Sequence, residues 1–187
     1  MRELARLLGI AGLVALLGAS GTAWADQTDP RLDALFAELK GADNAVAAHL
    51  IEQQIWAIWT NSPDAEARDL MAQGGALLEA GDFDNALELF DRLVAHAPNF
   101  AEAWNKRATT LYLLGRYRDA IRDIARVLAL EPRHFGALSG LGMCDVRMNR
   151  FDDALDAMLK AQAVDPKMAG MDENIAMLKR QLADERI

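Results

Sequence analysis

The stretches DFDNAL (82–87), RYRDAI (116–121) and RFDDAL (150–155) follow one another at intervals of 34 residues. Each contains an aromatic residue and, three residues later, an alanine. The pairs are Phe83 and Ala86, Tyr117 and Ala120, and Phe151 and Ala154. A fixed interval of this length indicates an internal repeat, in which every unit is one supersecondary element. We therefore expect one small structural unit to be built three times in succession.

The same interval relates three further kinds of position: a proline, a residue able to adopt a left-handed backbone, and a small residue. These columns are Pro98, Pro132 and Pro166; Gly81, Gly115 and Asn149; and Gly74, Ala108 and Gly142. A left-handed glycine or asparagine ends a helix, and a proline cannot continue one. Small residues allow two helices to approach closely. Each unit is therefore predicted to be two helices that fold back on each other across a short turn.

Units of this length and pattern resemble the tetratricopeptide repeat (TPR). The match is best at residues 101–134, where the signature positions are Trp104, Ala108, Leu111, Gly115, Tyr117, Ala120 and Pro132. The units at 67–100 and 135–168 match less well, since Leu70 and Leu138 replace the tryptophan. The resemblance implies an all-α, right-handed superhelical solenoid of helix–turn–helix repeats with N-terminal and C-terminal capping helices.

The segments on either side of the repeats are predicted to be these caps. Residues 169–187 have the apolar stripe of one capping helix. Residues 26–66 are interpreted as a helical hairpin, a degenerate fourth unit that lacks the aromatic and alanine columns. We expect Trp59 in this hairpin to pack on the first full repeat, at 67–100. Trp56 is either a half-buried packing residue or an exposed contact site.

The first 25 residues have the order of a secretory signal peptide: basic residues, an apolar run and a small-residue cleavage site. The run from Leu7 to Ala19 is 13 residues long, shorter than the roughly 20 that a membrane-spanning helix needs. We expect a Sec-type signal cut after Ala25 and a bacterial exported protein, periplasmic or secreted, with no membrane span after cleavage. An uncleaved membrane anchor is the alternative.

The formal net charge of −8 disfavours nucleic acid as a partner. Basic residues nevertheless concentrate in residues 101–134. Arg118, Arg122 and Arg126 share one face of the second helix in that unit, the face expected to be convex and exposed. This face is either simply solvated or a docking patch for an acidic partner.

The sequence contains no pattern typical of catalysis, so no catalytic residue, metal site or cofactor is expected. The three histidines, His49, His96 and His134, fall in three different units. His49 and Glu52 have a spacing that can chelate a metal, but no second such pair exists, which favours an ordinary surface pair. Cys144 is the single cysteine and is expected to be a small buried residue.

In the TPR family the concave face usually binds extended peptides or helices. The corresponding positions, with Gly75 and Arg147 beside them, are Met71, Leu78, Asn105, Thr109, Tyr112, Met143 and Val146. Asn105 is suited to hold a peptide backbone, and the apolar residues offer adaptable contact. Chaperone-binding members use basic residues and asparagine to clamp a terminal carboxylate. Met71, Gly75, Gly136 and Ser139 stand at the clamp positions here, which argues against carboxylate capture.

These observations predict a non-enzymatic adaptor or scaffold that binds a peptide or helix of an envelope protein in its concave groove. The alternative is a structural protein of the cell envelope that stacks on itself into a homo-oligomer.

Overall fold

A computed structural model describes residues 27–184, and that part of the chain contains nine helices and no strand. The helices are α1 (Arg31–Lys40), α2 (Ala45–Trp59), α3 (Ala65–Glu79), α4 (Phe83–His96), α5 (Ala101–Leu113), α6 (Tyr117–Leu130), α7 (Phe135–Arg147), α8 (Phe151–Val164) and α9 (Met171–Asp184). The all-α solenoid predicted from the repeat is confirmed. The predicted signal peptide at 1–25 lies outside the described residues.

The pairs α3–α4, α5–α6 and α7–α8 are the three repeats, and each turn within a pair has the same geometry. Gly81, Gly115 and Asn149 have φ values of 78°, 75° and 58°. In the central repeat the N–H of Arg116 donates to the carbonyl of Leu111 over 2.8 Å, which closes the end of α5. Only a left-handed residue allows this closure, so the glycine and asparagine column sets where each first helix ends.

The small-residue column marks the closest approach of the two helices in a repeat. A Cβ atom added to Gly74 would lie 2.7 Å from the Phe90 ring, and one added to Gly142 would lie 2.8 Å from Met158 Cγ. The alanine column is fully buried in all three repeats, at Ala86, Ala120 and Ala154. Close contact between the two helices at the crossing therefore explains both columns.

A carboxylate organises the turn between the second and third repeats. Glu131 Oε1 accepts hydrogen bonds from the backbone N–H and the Nε of Arg133, at 2.9 and 3.0 Å. Asp29 and Arg31 repeat the same arrangement at the start of α1. The hydrogen bond from the Arg31 guanidinium holds the pKa of Asp29 below its usual value. Each pair fixes the entry of the following helix.

At the C-terminal end, α9 packs on α8 through an apolar stripe of Met171, Ile175, Leu178 and Leu182, all buried. The stripe covers the exposed end of the third repeat. The opposite side of α9 is mostly polar, as a terminal helix of a solenoid requires.

The N-terminal hairpin formed by α1 and α2 does not pack where its position in the sequence suggested. Trp59 stacks flat on His134, with ring centroids 4.0 Å apart and an interplanar angle of 8°. Phe135 also contacts Trp59, and α1 packs against α8. The prediction that Trp59 packs on the first repeat is therefore wrong. The hairpin instead packs against apolar residues at the turns before α7 and α9. These include Phe135, Val164 and Met168.

Candidate functional site

A cavity of about 180 Å³ opens in the concave face between α5 and α7. It is lined by Asn105, Ala108, Thr109, Tyr112, Ile124, Gly136, Ser139, Gly140, Met143, Cys144 and Met168. Below we call it the groove cavity. Four of the predicted groove residues meet here, namely Asn105, Thr109, Tyr112 and Met143.

The other predicted groove residues lie away from this cavity. Met71 is buried in the core of the first repeat, and Leu78 packs against that core. Val146 packs against the core beneath α9. A helix-face pattern alone does not separate residues that line an opening from residues that pack on a neighbouring repeat.

The groove cavity exists because α7 presents small residues to it. Gly136, Ser139 and Gly140 lie on one face of α7, at spacings of three and one residues. A Cβ atom added to Gly140 would be 3.7 Å from Ile124, an ordinary contact distance, so the helices do not need a glycine there for close packing. The absence of a side chain at Gly140 instead leaves open space that a ligand can occupy.

Asn105 is held at the groove cavity by a buried hydrogen-bond network. Its Nδ2 donates to Glu102 Oε2 over 3.0 Å, and His134 Nε2 lies 3.0 Å from the same oxygen. Because the Ala137 N–H donates to His134 Nδ1, the imidazole proton is on Nε2 and points to Glu102. Lys106 Nζ stands 3.5 Å from the other Glu102 oxygen. The network fixes the Asn105 amide, and within residues 27–184 its Oδ1 receives no hydrogen bond.

An aromatic stack supports the other end of the groove cavity. Tyr112 packs on Tyr117 with ring centroids 5.4 Å apart. Arg147 Nε donates to the Tyr117 hydroxyl over 2.9 Å, and its guanidinium lies 5.5 Å from the ring centroid. These contacts limit the movement of Tyr112 before any ligand arrives, which reduces the entropy that binding has to overcome.

Cys144 forms part of the wall and is buried, as expected. Burial raises the pKa of its thiol to about 11, with a further contribution from the neighbouring Asp145 carboxylate. The side chain therefore acts as a small apolar group and not as a nucleophile at neutral pH.

The convex arginines are exposed but partly neutralised. Arg122 pairs with Asp119, and the Arg126 guanidinium lies 5.7 Å from the Trp104 ring centroid. Arg118 is exposed on the same helix, α6. Carboxylates alternate with the arginines on this face, and Arg126 contacts an aromatic ring. The face therefore attracts an acidic protein less strongly than three unpaired arginines would.

The sequence analysis did not identify Arg107, which organises the convex side of the central repeat. Its Nε and Nη2 bind both oxygens of Asp123 at 2.7 Å, and its Nη1 binds Asp91 at 2.8 Å. The guanidinium also lies 4.8 Å from the Trp104 ring centroid. Asp91 and Asp123 are each 16 residues from Arg107, a separation that no local pattern signals.

Trp56 adjoins the groove cavity through Gly136. A Cβ atom on Gly136 would be 2.7 Å from the Trp56 ring, and the same ring contacts His134 and Phe135 edge-on. Trp56 is half-buried. The N-terminal hairpin thus contacts the lining of the groove cavity at Gly136, an arrangement that the repeat columns could not predict.

Within residues 27–184, no group of three or more His, Cys, Asp and Glu side chains is placed to hold a metal ion. The same residues include no helix that is both long and apolar enough to cross a membrane. His49 and Glu52 form a surface ion pair of 3.5 Å.

Comparison with known proteins agrees with this architecture. A family model described as "Anaphase-promoting complex, cyclosome, subunit 3" matches residues 79–161. A TPR repeat-containing protein of Rhizobium etli is 36% identical over 158 residues, which are 83% of this chain and 76% of that protein. The chain belongs to the tetratricopeptide-repeat proteins.

More distant relatives share only part of their length with this chain. The small glutamine-rich tetratricopeptide repeat-containing protein 2 of Mycosarcoma maydis is 28% identical over 119 residues, which are 64% of this chain and 34% of that protein. The match to this protein thus covers about a third of its length.

Solved structures show the same fold at low sequence identity. The Sgt2 TPR domain from Aspergillus fumigatus superimposes with a TM-score of 0.63 and 20% identity, covering 66% of this chain and 83% of that one. The first TPR domain of Spaghetti (RPAP3), bound to the HSP90 peptide SRMEEVD, gives 0.62 and 18%, covering 63% and 94%. At these identities the similarity concerns the fold alone.

Proposed function

We propose that the protein is a non-enzymatic adaptor that binds a segment of another protein in its concave groove. The observation that carries the proposal is the groove cavity, which combines an apolar wall, a small-residue face on α7 and the fixed amide of Asn105. An apolar side chain of a partner fits the open space beside Gly140, and Asn105 Oδ1 accepts a backbone N–H.

The chemistry of the groove cavity favours an apolar segment over an acidic chain end. None of the eleven lining residues is basic. The HSP90 peptide in the RPAP3 structure ends in the acidic sequence EEVD. A carboxylate placed in this groove would lose water without gaining a cation, so we infer that the ligand is an internal peptide or helix with a bulky apolar anchor.

For the cellular setting we propose export by the signal at 1–25, with cleavage after Ala25, into the periplasm or medium of a bacterium. The relative in Rhizobium etli supports a bacterial origin. Intact-mass measurement of the exported protein tests the signal, because cleavage predicts a mature chain that begins at Asp26. A membrane-bound product that retains residues 1–25 would refute this setting.

Binding in the groove is tested by comparing its two faces with matched variants. A photo-crosslinking residue at Thr109 should capture a partner, whereas one at Arg122 should not. The partner is then titrated against Asn105→Ala/Tyr112→Ala and against Arg118→Glu/Arg126→Glu, after circular dichroism has shown both variants to be folded. Loss of a groove anchor typically costs about 2 kcal/mol, roughly thirtyfold in affinity.

A second groove variant keeps the test independent of the buried network. Gly140→Leu fills the groove cavity but leaves the hydrogen bonds of Asn105 intact, and it should weaken binding to a similar degree. The convex variant should change mainly the association rate and its salt dependence. If the arginine variant alone loses the partner, the binding site is on the convex face and the groove proposal is wrong.

Self-assembly is the second candidate function, and the exposed apolar residues of α2 favour it. Val46 is 73% exposed and Leu50 is 55% exposed on the outer side of the hairpin. Light scattering of the purified protein over a wide concentration range separates the two functions, since self-stacking predicts growth in mass without any partner.

A further inference from the structure

The N-terminal hairpin rests on a part of the solenoid far from its own attachment point. Its polar contacts join Arg133 Nη1 to Asp33 Oδ1 at 2.7 Å, and the Arg133 guanidinium lies 4.2 Å from the Phe36 ring centroid. The stack of Trp59 on His134 completes these contacts. The hairpin is therefore held by residues about 75 to 100 positions further along the chain.

The connection between the hairpin and the first repeat is short, and its hydrogen bonds to the first repeat lie on its C-terminal side, at Ser62 and Asp64. Neither α1 nor α2 has an extensive contact with α3 or α4. Arg68 Nη1 donates to the Ser62 carbonyl over 2.7 Å, which fixes the C-terminal side of the linker. Thr60 and Asn61 lie between this anchor and the end of α2. This is the arrangement of a hinge, where a few loop residues separate two packed bodies.

A pair of carboxyl groups faces across the contact between the hairpin and the solenoid. Asp165, in the turn before α9, is fully buried, and its Oδ1 accepts the N–H of Lys167. Its Oδ2 is enclosed and has no hydrogen-bond donor. Ile51 of α2 packs in one cluster with Val164 and Met168, which brings Glu52 beside Asp165. Two ionised carboxylates repel each other there, whereas a single proton shared between them forms a hydrogen bond.

The other charged groups around this pair do not neutralise it. On α2, His49 lies 3.5 Å from Glu52 and is largely exposed. Lys40 of α1 and Arg133 line a neighbouring cleft beside Val164. Arg133 is already bound to Glu131 and Asp33.

We propose that the α1–α2 hairpin is a hinged lid on the groove, closed when it rests on the third repeat and opened by rotation about Thr60 and Asn61. In the closed position Trp56 covers Gly136 at the edge of the groove cavity. Opening uncovers Gly136 and widens access to this end of α7. The role of the lid in controlling ligand entry depends on the proposed groove function, but the movement itself does not.

The carboxyl pair makes lid closure depend on pH. Burial first, and then the adjacent Glu52 carboxyl, raise the pKa of Asp165 from 3.8 to about 6. The closed state thus binds a proton that the open state releases. Closure is most favourable below pH 3.8, weakens as the pH rises through about 6, and is constant above that. Between pH 5 and pH 7.5 the closing equilibrium should fall about tenfold.

Native-state hydrogen exchange of the mature protein tests the lid without any ligand. Amides of α2, corrected for intrinsic exchange rates, should be about tenfold less protected at pH 7.5 than at pH 5, because a detached pair of short helices is unstable. Amides of α6 should show no such change. Asp165→Asn should keep α2 protected at both pH values, and Glu88→Gln, an exposed carboxyl on α4, should behave as the wild type.

The distance between two spin labels, attached at Leu50→Cys and Glu88→Cys, distinguishes rotation of the hairpin from its unfolding in place. Cys144 is buried and unreactive, so it does not take up a label. The lid predicts a second interspin distance that grows in population from pH 5 to pH 7.5. A single distance at both pH values would overturn the lid. So would a pH response of α2 that persists in Asp165→Asn or that α6 shares. Because these readouts need no partner, their failure leaves the groove proposal standing.

Discussion

Two adjacent glycines in α3 provide a sharp test of the helix crossing, because the structure assigns opposite effects to the same substitution. Gly74 faces the Phe90 ring, whereas Gly75 has nothing within 4 Å of an added Cβ atom. Alanine at either position gains about 0.5–1 kcal/mol of helix stability, since it lowers the entropy of the unfolded chain. At Gly75 this gain is the whole effect, so Gly75→Ala should stabilise the protein.

At Gly74 the new methyl group would lie 2.7 Å from Phe90 Cε1 and 2.9 Å from Cζ. Phe90 is fully buried and cannot move its ring into solvent. Overpacking of this kind costs about 1–3 kcal/mol. The gain in helix stability is common to both variants, so the overpacking cost equals the difference between their free energies of unfolding. Gly74→Ala should therefore be neutral to about 2 kcal/mol less stable than wild type.

The assay is urea unfolding followed by circular dichroism. The midpoints are compared with one shared slope of unfolding free energy against urea concentration. Gly75→Ala should unfold at a higher urea concentration than wild type, and Gly74→Ala at a lower one or close to the wild-type midpoint. If both variants shift the midpoint equally in one direction, α3 and α4 do not cross at Gly74 and the register of the repeat is wrong.

Two further predictions concern the central and third repeats. Ala120→Leu should lower the free energy of unfolding in urea by about 1–3 kcal/mol, because Ala120 is fully buried at the helix crossing. Arg122→Leu on the exposed face should change it by no more than about 0.5 kcal/mol. Similar costs for both variants would contradict the placement of α6. The raised pKa of Cys144 predicts that iodoacetamide labels the native protein at pH 8 far more slowly than the urea-unfolded protein, and that labelling accelerates only as the pH approaches about 11. Equal labelling of native and unfolded protein at pH 8 would show that the thiol is accessible.

The repeat columns predicted the solenoid because each column has one mechanical cause. A left-handed residue ends the first helix, a small residue permits the crossing, and a proline stops the second helix. Asn149 shows how far this reasoning extends, since it keeps the left-handed backbone, with φ of 58°, where the other repeats have glycine. Helix order and register follow from such local rules.

The location of the hairpin does not follow from local rules. Residues 26–66 lack the aromatic and alanine columns, so nothing in their spacing specifies a neighbour. Their position is set by complementarity between Trp59 and His134, residues separated by 75 positions. Only part of the groove was predictable. Asn105, Thr109 and Tyr112 follow from helix periodicity, but the opening beside Gly140 is made by a side chain that is missing.

The stack of Trp59 on His134 also changes how the chain is expected to fold. A tandem-repeat protein is nearly one-dimensional: each unit contacts its neighbours, contact order is low, and the ends can fray independently. Here the first helices are joined to the third repeat, which closes most of the chain into a loop. We therefore expect unfolding of α7 to release the α1–α2 hairpin as well, although the two are far apart in the sequence.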